Sequence, residues 1–480
     1  MDDCSYSPPN SNFLVRSIPV QTTLFKKLPD IDVAARLSNG FRDSAFTSNK
    51  VYPLHRWVPW IAGFSAEFVD DCVCKYLRGN HRRETWVLDP FAGVGTTLVQ
   101  SFMRGYNVVG FEINPYAALA SRLKLKAVDV PVDAFTKWIV EFEQFMNEHC
   151  PDDGPCKQVP VSRPPEGFNG RTQLFSPKVE RKVLFALDFI NSLGHPTIRD
   201  LFRLAFGSVM VSVSNYSYEP SLTRRAAVDK PDIPDAHVAQ IIAGKLRLML
   251  EDIIWFKEQM REVSPKPKSW MIPESIFSAV DILENKNFID LVVTSPPYLN
   301  NYHYPRNTRP QLHWLGLAAG SGYKAAREDE SFGKFWQTVR GLESVKLKFP
   351  MPDLVKTIDL IAAANSQKQE YGGPGWANYV ATYFNDTHRF CGVLSRLLRK
   401  NGKAVIVLGN SIIQGVEVRT DQIFGRIAEL CGLEFAETIP LRKKRTGTSI
   451  IQSSVRVDKA SLKTVLYESA IVLRRKDSKT

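Results

Sequence analysis

The sequence predicts an α/β fold, a parallel sheet carrying a mostly helical insertion, and three observations point that way. Short apolar runs of strand length, Trp86-Val87-Leu88, Val108-Val109-Gly110-Phe111 and Ile289–Val293, are bounded by turn or polar residues. The first two are joined by a glycine loop and a helical stretch from Thr97 to Arg104, which makes a β-α-β unit. Strand and helix alternate at both ends of the chain, whereas long helical patterns fill the stretch between.

The elements follow in order. Residues 1–50 are polar and weakly periodic, and are expected to wrap the surface as an N-terminal segment. From Trp60 to Tyr76, Ile61, Phe64, Phe68, Val69 and Cys72 recur at helical spacing. The polar break Arg78–Arg83 precedes the first strand. After the β-α-β unit, helical patterns run from Tyr116 to Ala127 and from Val132 to Glu148. Residues 150–171 are rich in Pro and Gly and read as a linker. Helices return at Val179–Leu193, Ile198–Val213 and Ala236–Val263, interrupted by a polar stretch with Arg224, Arg225 and Lys230. Strand character resumes at Ile276–Val280 and Ile289–Val293. The last part carries helix Phe384–Arg399, strand Ala404–Leu408, helix Gln422–Cys431 and strands Phe435–Ile439 and Ser469–Leu473. The expected organisation is therefore one α/β domain built from 51–128 and 270–480. It is interrupted by a helical insertion at 129–269 and a loop-rich one at 318–380.

Composition narrows the function. The 480 residues are 44% hydrophobic and 23% charged, as in an ordinary globular protein. Lys and Arg total 62 against 50 Asp and Glu, a net charge of +12, which favours a polyanionic partner over an acidic small substrate. From Pro440 to Thr480 there are 11 Lys and Arg against 3 Asp and Glu, so most of the excess lies at the C-terminal end. No apolar run approaches the roughly 20 residues of a membrane helix, and no membrane partner is expected. Met1-Asp2-Asp3-Cys4 is unlike a secretory leader, so the cytoplasm is the expected compartment. The 7 cysteines lack zinc-binding spacing; they are expected to be reduced thiols, with no metal site.

Two motifs carry chemistry. Asp89-Pro90-Phe91-Ala92-Gly93-Val94-Gly95-Thr96-Thr97 lies between a strand and a helix, where glycines let the backbone turn and approach a ligand closely. It is not a phosphate loop, since no Lys follows the second glycine. Glu112 ends the next strand, about 20 residues on, where a carboxylate can accept from both ribose hydroxyls. A nicotinamide dinucleotide and S-adenosylmethionine both suit these residues, and a plain structural turn with a surface Glu is the bland alternative. Thr294-Ser295-Pro296-Pro297-Tyr298 follows a second strand directly. Its prolines remove N–H donors, leaving the Ser295 hydroxyl and the carbonyls of Ser295 and Pro296 as acceptors, with Tyr298 as a flat aromatic face. Such a site suits the exocyclic amino group of a nucleobase; a Pro-Pro turn at a strand end is the structural alternative.

Together the two motifs resemble motifs I and IV of the amino-directed DNA methyltransferases, which make N4-methylcytosine or N6-methyladenine. Leu54-His55-Arg56-Trp57 through Phe68, Phe111-Glu112-Ile113-Asn114-Pro115, Val280-Asp281, Leu299–Tyr302 and Gly409-Asn410-Ser411 add to the likeness. The resemblance covers 51–125, 270–317 and 380–475. It implies a Rossmann-like class I methyltransferase sheet and S-adenosyl-L-methionine as cofactor. Asp89, Phe91, Gly93, Gly95, Thr96, Glu112, Asn114, Asp281 and Trp57 would bind that cofactor, and Ser295, Pro296, Pro297 and Tyr298 would act on the target base. Serine in the tetrapeptide tilts the resemblance toward cytosine N4 rather than adenine N6. It further implies double-stranded DNA as substrate and a restriction–modification or phage-defence setting with a cognate restriction endonuclease. The sequence departs from one common arrangement of the family in placing its long insertion between Glu112 and Asp281. Pro155-Cys156, the one dipeptide that could suit a cytosine-C5 enzyme, lies in a polar loop with no preceding strand.

A base inside a duplex must be flipped out to reach such a pocket, so cationic surfaces should flank it. Arg224 and Arg225, Arg306 and Arg309, and Arg442-Lys443-Lys444-Arg445 are the candidates. An RNA methyltransferase and a non-catalytic DNA-binding subunit are the other readings; the two intact motifs argue against the latter.

Overall fold

The central strands of the sheet run apolar and nearly uninterrupted because both of their faces are covered. In a computed structural model, β1 (Trp86–Asp89), β2 (Asn107–Phe111), β3 (Ser269–Ile272), β4 (Ile289–Thr294), β5 (Leu398–Gly409), β6 (Leu433–Lys444) and β7 (Leu466–Arg475) form one sheet. Its order is β3-β2-β1-β4-β5-β7-β6, and only β7 runs against the rest. The structure describes residues 40–42, 46–60, 63, 65–77, 83–166, 173–219, 221–284, 286–299, 304–318, 330–364, 375–444 and 466–476. Every residue of β2 and β4 is buried.

Strand order reverses between β1 and β4, and the crevice outside their C-terminal ends is where an open α/β sheet binds ligands. The two ends are tied directly, Thr294 Oγ1 donating to Asp89 Oδ1 at 2.7 Å. The helices are α1 (Ala66–Tyr76), α2 (Thr96–Met103), α3 (Pro115–Lys126), α4 (Val132–His149), α5 (Pro177–Ser192), α6 (Pro196–Val209), α7 (Val238–Met260), α8 (Pro352–Ala363), α9 (Gly375–Leu397) and α10 (Thr420–Leu430). Their starts follow capping rules. Ser65 accepts from Phe68 N ahead of α1, Asn114 accepts from Tyr116 N and Ala117 N ahead of α3, and α3, α5, α6 and α8 open on proline.

The insertion is helical and has its own aromatic centre: Phe142 lies 5.4 Å from Phe189 and 5.7 Å from Phe202 between ring centroids. Its last helix, α7, returns to the sheet domain. There Asp252 accepts from Leu54 N at 2.8 Å and Trp57 Nε1 at 2.9 Å and pairs with Arg56, while Lys245 Nζ donates to the Arg56 carbonyl at 2.8 Å.

The structure differs from the sequence reading in several places. Ile276–Val280 is not a strand; a 3-10 turn (Ile276–Ser278) and a short helix (Ala279–Ile282) occupy it, started by Ser275 capping Phe277 N. The sheet strand is Ser269–Ile272, stopped by Pro273. Its pattern is faint because it is an edge strand with a 41% exposed Trp270. The first helix begins at Ala66 rather than Trp60. Residues 318–380 contain α8 and the start of α9, so that stretch is not wholly loop. The N-terminal segment does more than cover the surface: Phe41 and Arg42 are buried, with Arg42 Nη2 2.6 Å from Asp71 Oδ1 and 3.2 Å from Asp70 Oδ2 on α1. Cys150, which ends α4, is joined to Cys156 in a disulfide, against the expectation of free thiols.

Candidate active site

The loop after β1 turns on two left-handed glycines. Gly93 has φ +50°, and Gly95 has φ +87°, where a Cβ would stand 2.5 Å from Ser121 Oγ. No other residue fits that second position without moving α3. The loop is held from three sides. Gly93 N donates to Glu112 Oε2 at 2.8 Å, Phe91 N to Asp89 Oδ1 at 3.1 Å, and Lys124 Nζ of α3 to the Val94 carbonyl at 2.8 Å. Lys124 is wholly buried, and burial, with Lys245 nearby, pushes its pKa down to about 7.

Glu112 follows β2 and faces Asp89 across the crevice. Its other oxygen, Oε1, accepts from Asn114 N at 2.7 Å. Burial raises the Glu112 carboxyl to about 7 and the Asp89 carboxyl to about 6, although hydrogen bonds to each pull the other way. Asn114 itself is spent on capping α3 and on donating from Nδ2 to Thr308 Oγ1 at 2.8 Å.

The tetrapeptide after β4 is anchored differently. The Pro297 carbonyl accepts from Tyr383 Oη at 3.1 Å, and the Tyr298 ring lies 3.4 Å from where a Cβ of Gly409 would stand at the end of β5. Beyond it, the chain runs through two short helices, Tyr304–Asn307 and Arg309–Trp314. A two-stranded ribbon of the insertion, Tyr216–Tyr218 paired with Leu222–Arg224, docks on them. Leu222 N donates to Asn307 Oδ1 at 2.8 Å, and Tyr218 Oη to the Asn307 carbonyl at 3.1 Å.

Both motifs open into one cleft, lined by Asp89, Phe91, Gly93, Thr96, Glu112 and Asn114 on one side and by Ser295, Pro297 and Tyr298 on the other. Gly95 and Pro296 are not among the lining residues, and two further residues that the sequence points to are elsewhere. Trp57 is fully buried with its indole on Asp252, and Trp60 lines the cleft instead. Asp281 is exposed on the short helix, while Glu274, directly after β3, lines the cleft. An acid immediately after a third strand is the signal for Glu274, and it is visible only once that strand is placed at Ser269–Ile272. The strap Glu330–Phe335, which no motif marks, completes the wall.

The cationic candidates divide. Arg224 lies 3.7 Å from Asp232, and Arg225 Nε donates to the Pro231 carbonyl at 2.7 Å, so both are engaged within the insertion. Arg306 is exposed and Arg309 half-buried just past the tetrapeptide. Arg442 is exposed near the C-terminal end of β6, opposite Glu468 of β7, which in turn faces Gly409. That register sets it two strands, roughly 10 Å, from the position beneath the Tyr298 ring. Lys443 and Lys444 continue the strand, while Arg445 lies outside the described residues. Among the described residues no group of metal-binding side chains occurs, and no helix is long and apolar enough to cross a membrane.

The chain is similar to Type II methyltransferases. It is 23% identical to M.BsoBI of Geobacillus stearothermophilus over 294 residues, spanning 57% of this chain and 55% of that protein. It is 22% identical to M.AvaI of Nostoc sp. over 425 residues, spanning 83% and 82% of the two chains. It is 33% identical to M.MjaII of Methanocaldococcus jannaschii over 353 residues, spanning 55% and 66%. The chain thus spans about half the length of the first relative and most of the second. No family model matches it. Among solved structures, the rRNA methyltransferase aviRa of Streptomyces viridochromogenes aligns over 90% of this chain and 93% of its own, at 10% identity and a TM-score of 0.29, too slight a likeness to bear on the chemistry.

Proposed function

We propose that the protein is an S-adenosylmethionine-dependent DNA methyltransferase acting on the N4 amino group of cytosine in double-stranded DNA. The observation that carries this is the single cleft in which the glycine loop with Glu112 meets Ser295–Tyr298. The similarity to Type II methyltransferases supports it independently.

The residues fit the cofactor. Four carboxylates, Asp89, Glu112, Glu274 and Glu330, line the cleft and suit a cationic sulfonium. Gly93 presents bare backbone to the cleft beside Trp60, and Gly95 lets the loop turn tightly against α3. Glu112 is placed to accept from ribose hydroxyls once it is ionised. When bound, S-adenosylmethionine supplies an electrophilic methyl group. The Ser295 hydroxyl and the carbonyls of Ser295 and Pro296 accept from the amino hydrogens of the base. They thereby draw its nitrogen lone pair out of conjugation, and Tyr298 stacks on the ring. The proton released on transfer leaves to water. No cysteine lines the cleft among the described residues, in keeping with direct transfer to nitrogen without a covalent enzyme intermediate.

Reaching the pocket requires flipping the base, at a cost of a few kcal/mol, offset by phosphate contacts. Arg306, Arg309 and the Arg442–Arg445 segment are proposed to make them. By resemblance, serine in the tetrapeptide favours cytosine over adenine, and the Type II relatives favour a restriction–modification setting with a cognate endonuclease.

Nucleoside mass spectrometry of DNA from cells expressing the protein is the test, with Ser295→Ala and Tyr298→Ala as controls. N4-methylcytosine that disappears in both variants is expected. N6-methyladenine alone would replace the base assignment, and a methylated base only in RNA would replace the substrate.

A further inference from the structure

The tetrapeptide has a difficulty built into it. Pro296 and Pro297 carry no N–H, so three successive carbonyls, at Ser295, Pro296 and Pro297, stand on a stretch that has lost two of its backbone donors. Two of those carbonyls, at Ser295 and Pro296, are the acceptors the base needs. The third is open to a donor from elsewhere. Tyr383, in the middle of α9 and 0% exposed, donates its hydroxyl to that third carbonyl, Pro297, at 3.1 Å across 86 residues of sequence. Fixing the Pro297 carbonyl fixes the peptide plane that leads into Tyr298, and so the direction of its ring.

The phenol is itself held. Phe332 of the strap stands edge-on to Tyr383 at 5.3 Å and 80°, and Phe384 does so at 5.3 Å and 88°. Gly333 adopts φ +66°, and a Cβ there would come within 3.1 Å of the Tyr383 ring. The strap is pinned by Gly333 N donating to Asp386 Oδ2 at 3.0 Å and by Ser275 Oγ donating to the Glu330 carbonyl at 2.6 Å. Phe332 also meets Phe91 of the glycine loop at 5.2 Å. One segment of the second insertion thus touches the glycine loop directly and reaches the tetrapeptide through Tyr383.

We propose that Tyr383 is a positioning residue for methyl transfer, holding Ser295–Tyr298 in the orientation that receives the base, with Phe332 and Gly333 holding Tyr383. The proposal rests on the function given above for this site. Tyr383→Phe keeps the ring and removes only the hydroxyl. In the full-length protein we expect amide hydrogen exchange at Tyr298 and Leu299 to quicken several-fold. We also expect kcat for DNA methylation to fall about fivefold, the worth of roughly one hydrogen bond, while the Kd for S-adenosylmethionine stays unchanged. Gly333→Val, which crowds the same ring, should shift kcat and exchange the same way. Unaltered exchange in Tyr383→Phe overturns the positioning role whatever reaction the site performs. A loss of cofactor affinity equal to the loss of rate overturns it too, since that is the mark of general loosening. A wild-type protein that methylates no nucleic acid sinks the proposed function instead, and exchange then decides the positioning role alone.

Discussion

The two loops that meet in the cleft are built on opposite plans. The loop after β1 is held by charge and by near neighbours in sequence: Gly93 bonds to Glu112, 19 residues on, and Val94 to Lys124, 30 residues on. The loop after β4 is held by aromatic packing and one remote phenol, through Tyr383, Phe332 and Gly409. The contrast follows from their backbone chemistry. The first loop keeps its amides and glycines, and Gly93 and Val94 find partners within 30 residues of chain, at Glu112 and on α3. The second loop has lost two N–H donors to proline and takes support from distant chain through Tyr383.

The sharpest way to break the comparison is at Gly95. Gly95→Val forces a β-branched residue into a left-handed conformation and drives its Cβ onto Ser121. Cofactor affinity measured by calorimetry should weaken roughly 100-fold while the aromatic side of the cleft stays intact. Next in size is pH. Burial raises the Glu112 carboxyl to about 7, so it is largely protonated below that value and ionised above it. Cofactor affinity should therefore rise about tenfold from pH 6 to pH 8, and Glu112→Gln should flatten the profile. Stability of the free protein should move oppositely. The folded form binds protons that the unfolded chain has released, so this contribution falls as pH climbs from about 4.5 through about 7.

Smaller is Lys124→Met, which keeps volume but removes the donor to Val94. We expect cofactor affinity about fivefold weaker, with DNA affinity in the absence of cofactor unaltered. Loss on both measurements would mean that the charged loop is not independent of the aromatic one. The least effect is expected at the rim. Neutralising Arg442, Lys443, Lys444 and Arg445 should lower the dependence of DNA affinity on salt, by about one unit of slope for each phosphate that this segment grips. An unchanged slope returns them to ordinary surface charge.

How much is legible in the sequence tracks the same division. Asp89, Gly93, Gly95 and Glu112 can be read directly, because each does its work within a few turns of chain from the others. The tetrapeptide can be read as a strand-end feature, but not its support. The sequence points to Asp281 where Glu274 lines the cleft, because an exposed edge strand with Trp270 on its surface lacks the apolar run that marks β1 and β4. The resemblance points to Trp57 where Trp60 lines the cleft, because a motif likeness does not tell which aromatic turns toward a partner on the insertion.

By itself, the sequence determined the α/β class, the β-α-β unit and the two loops, since those depend on local periodicity and on backbone freedom at particular glycines and prolines. Only the tertiary structure decided that Thr294 and Asp89 close one switch point, that α7 of the insertion grips residues 54–57, and that Tyr383 of α9, with Phe332 of the strap packed on it, meets the loop after β4. Contacts of that kind join residues far apart in the chain. They arise from packing in the folded core, where no periodic pattern records which distant ring will meet which carbonyl.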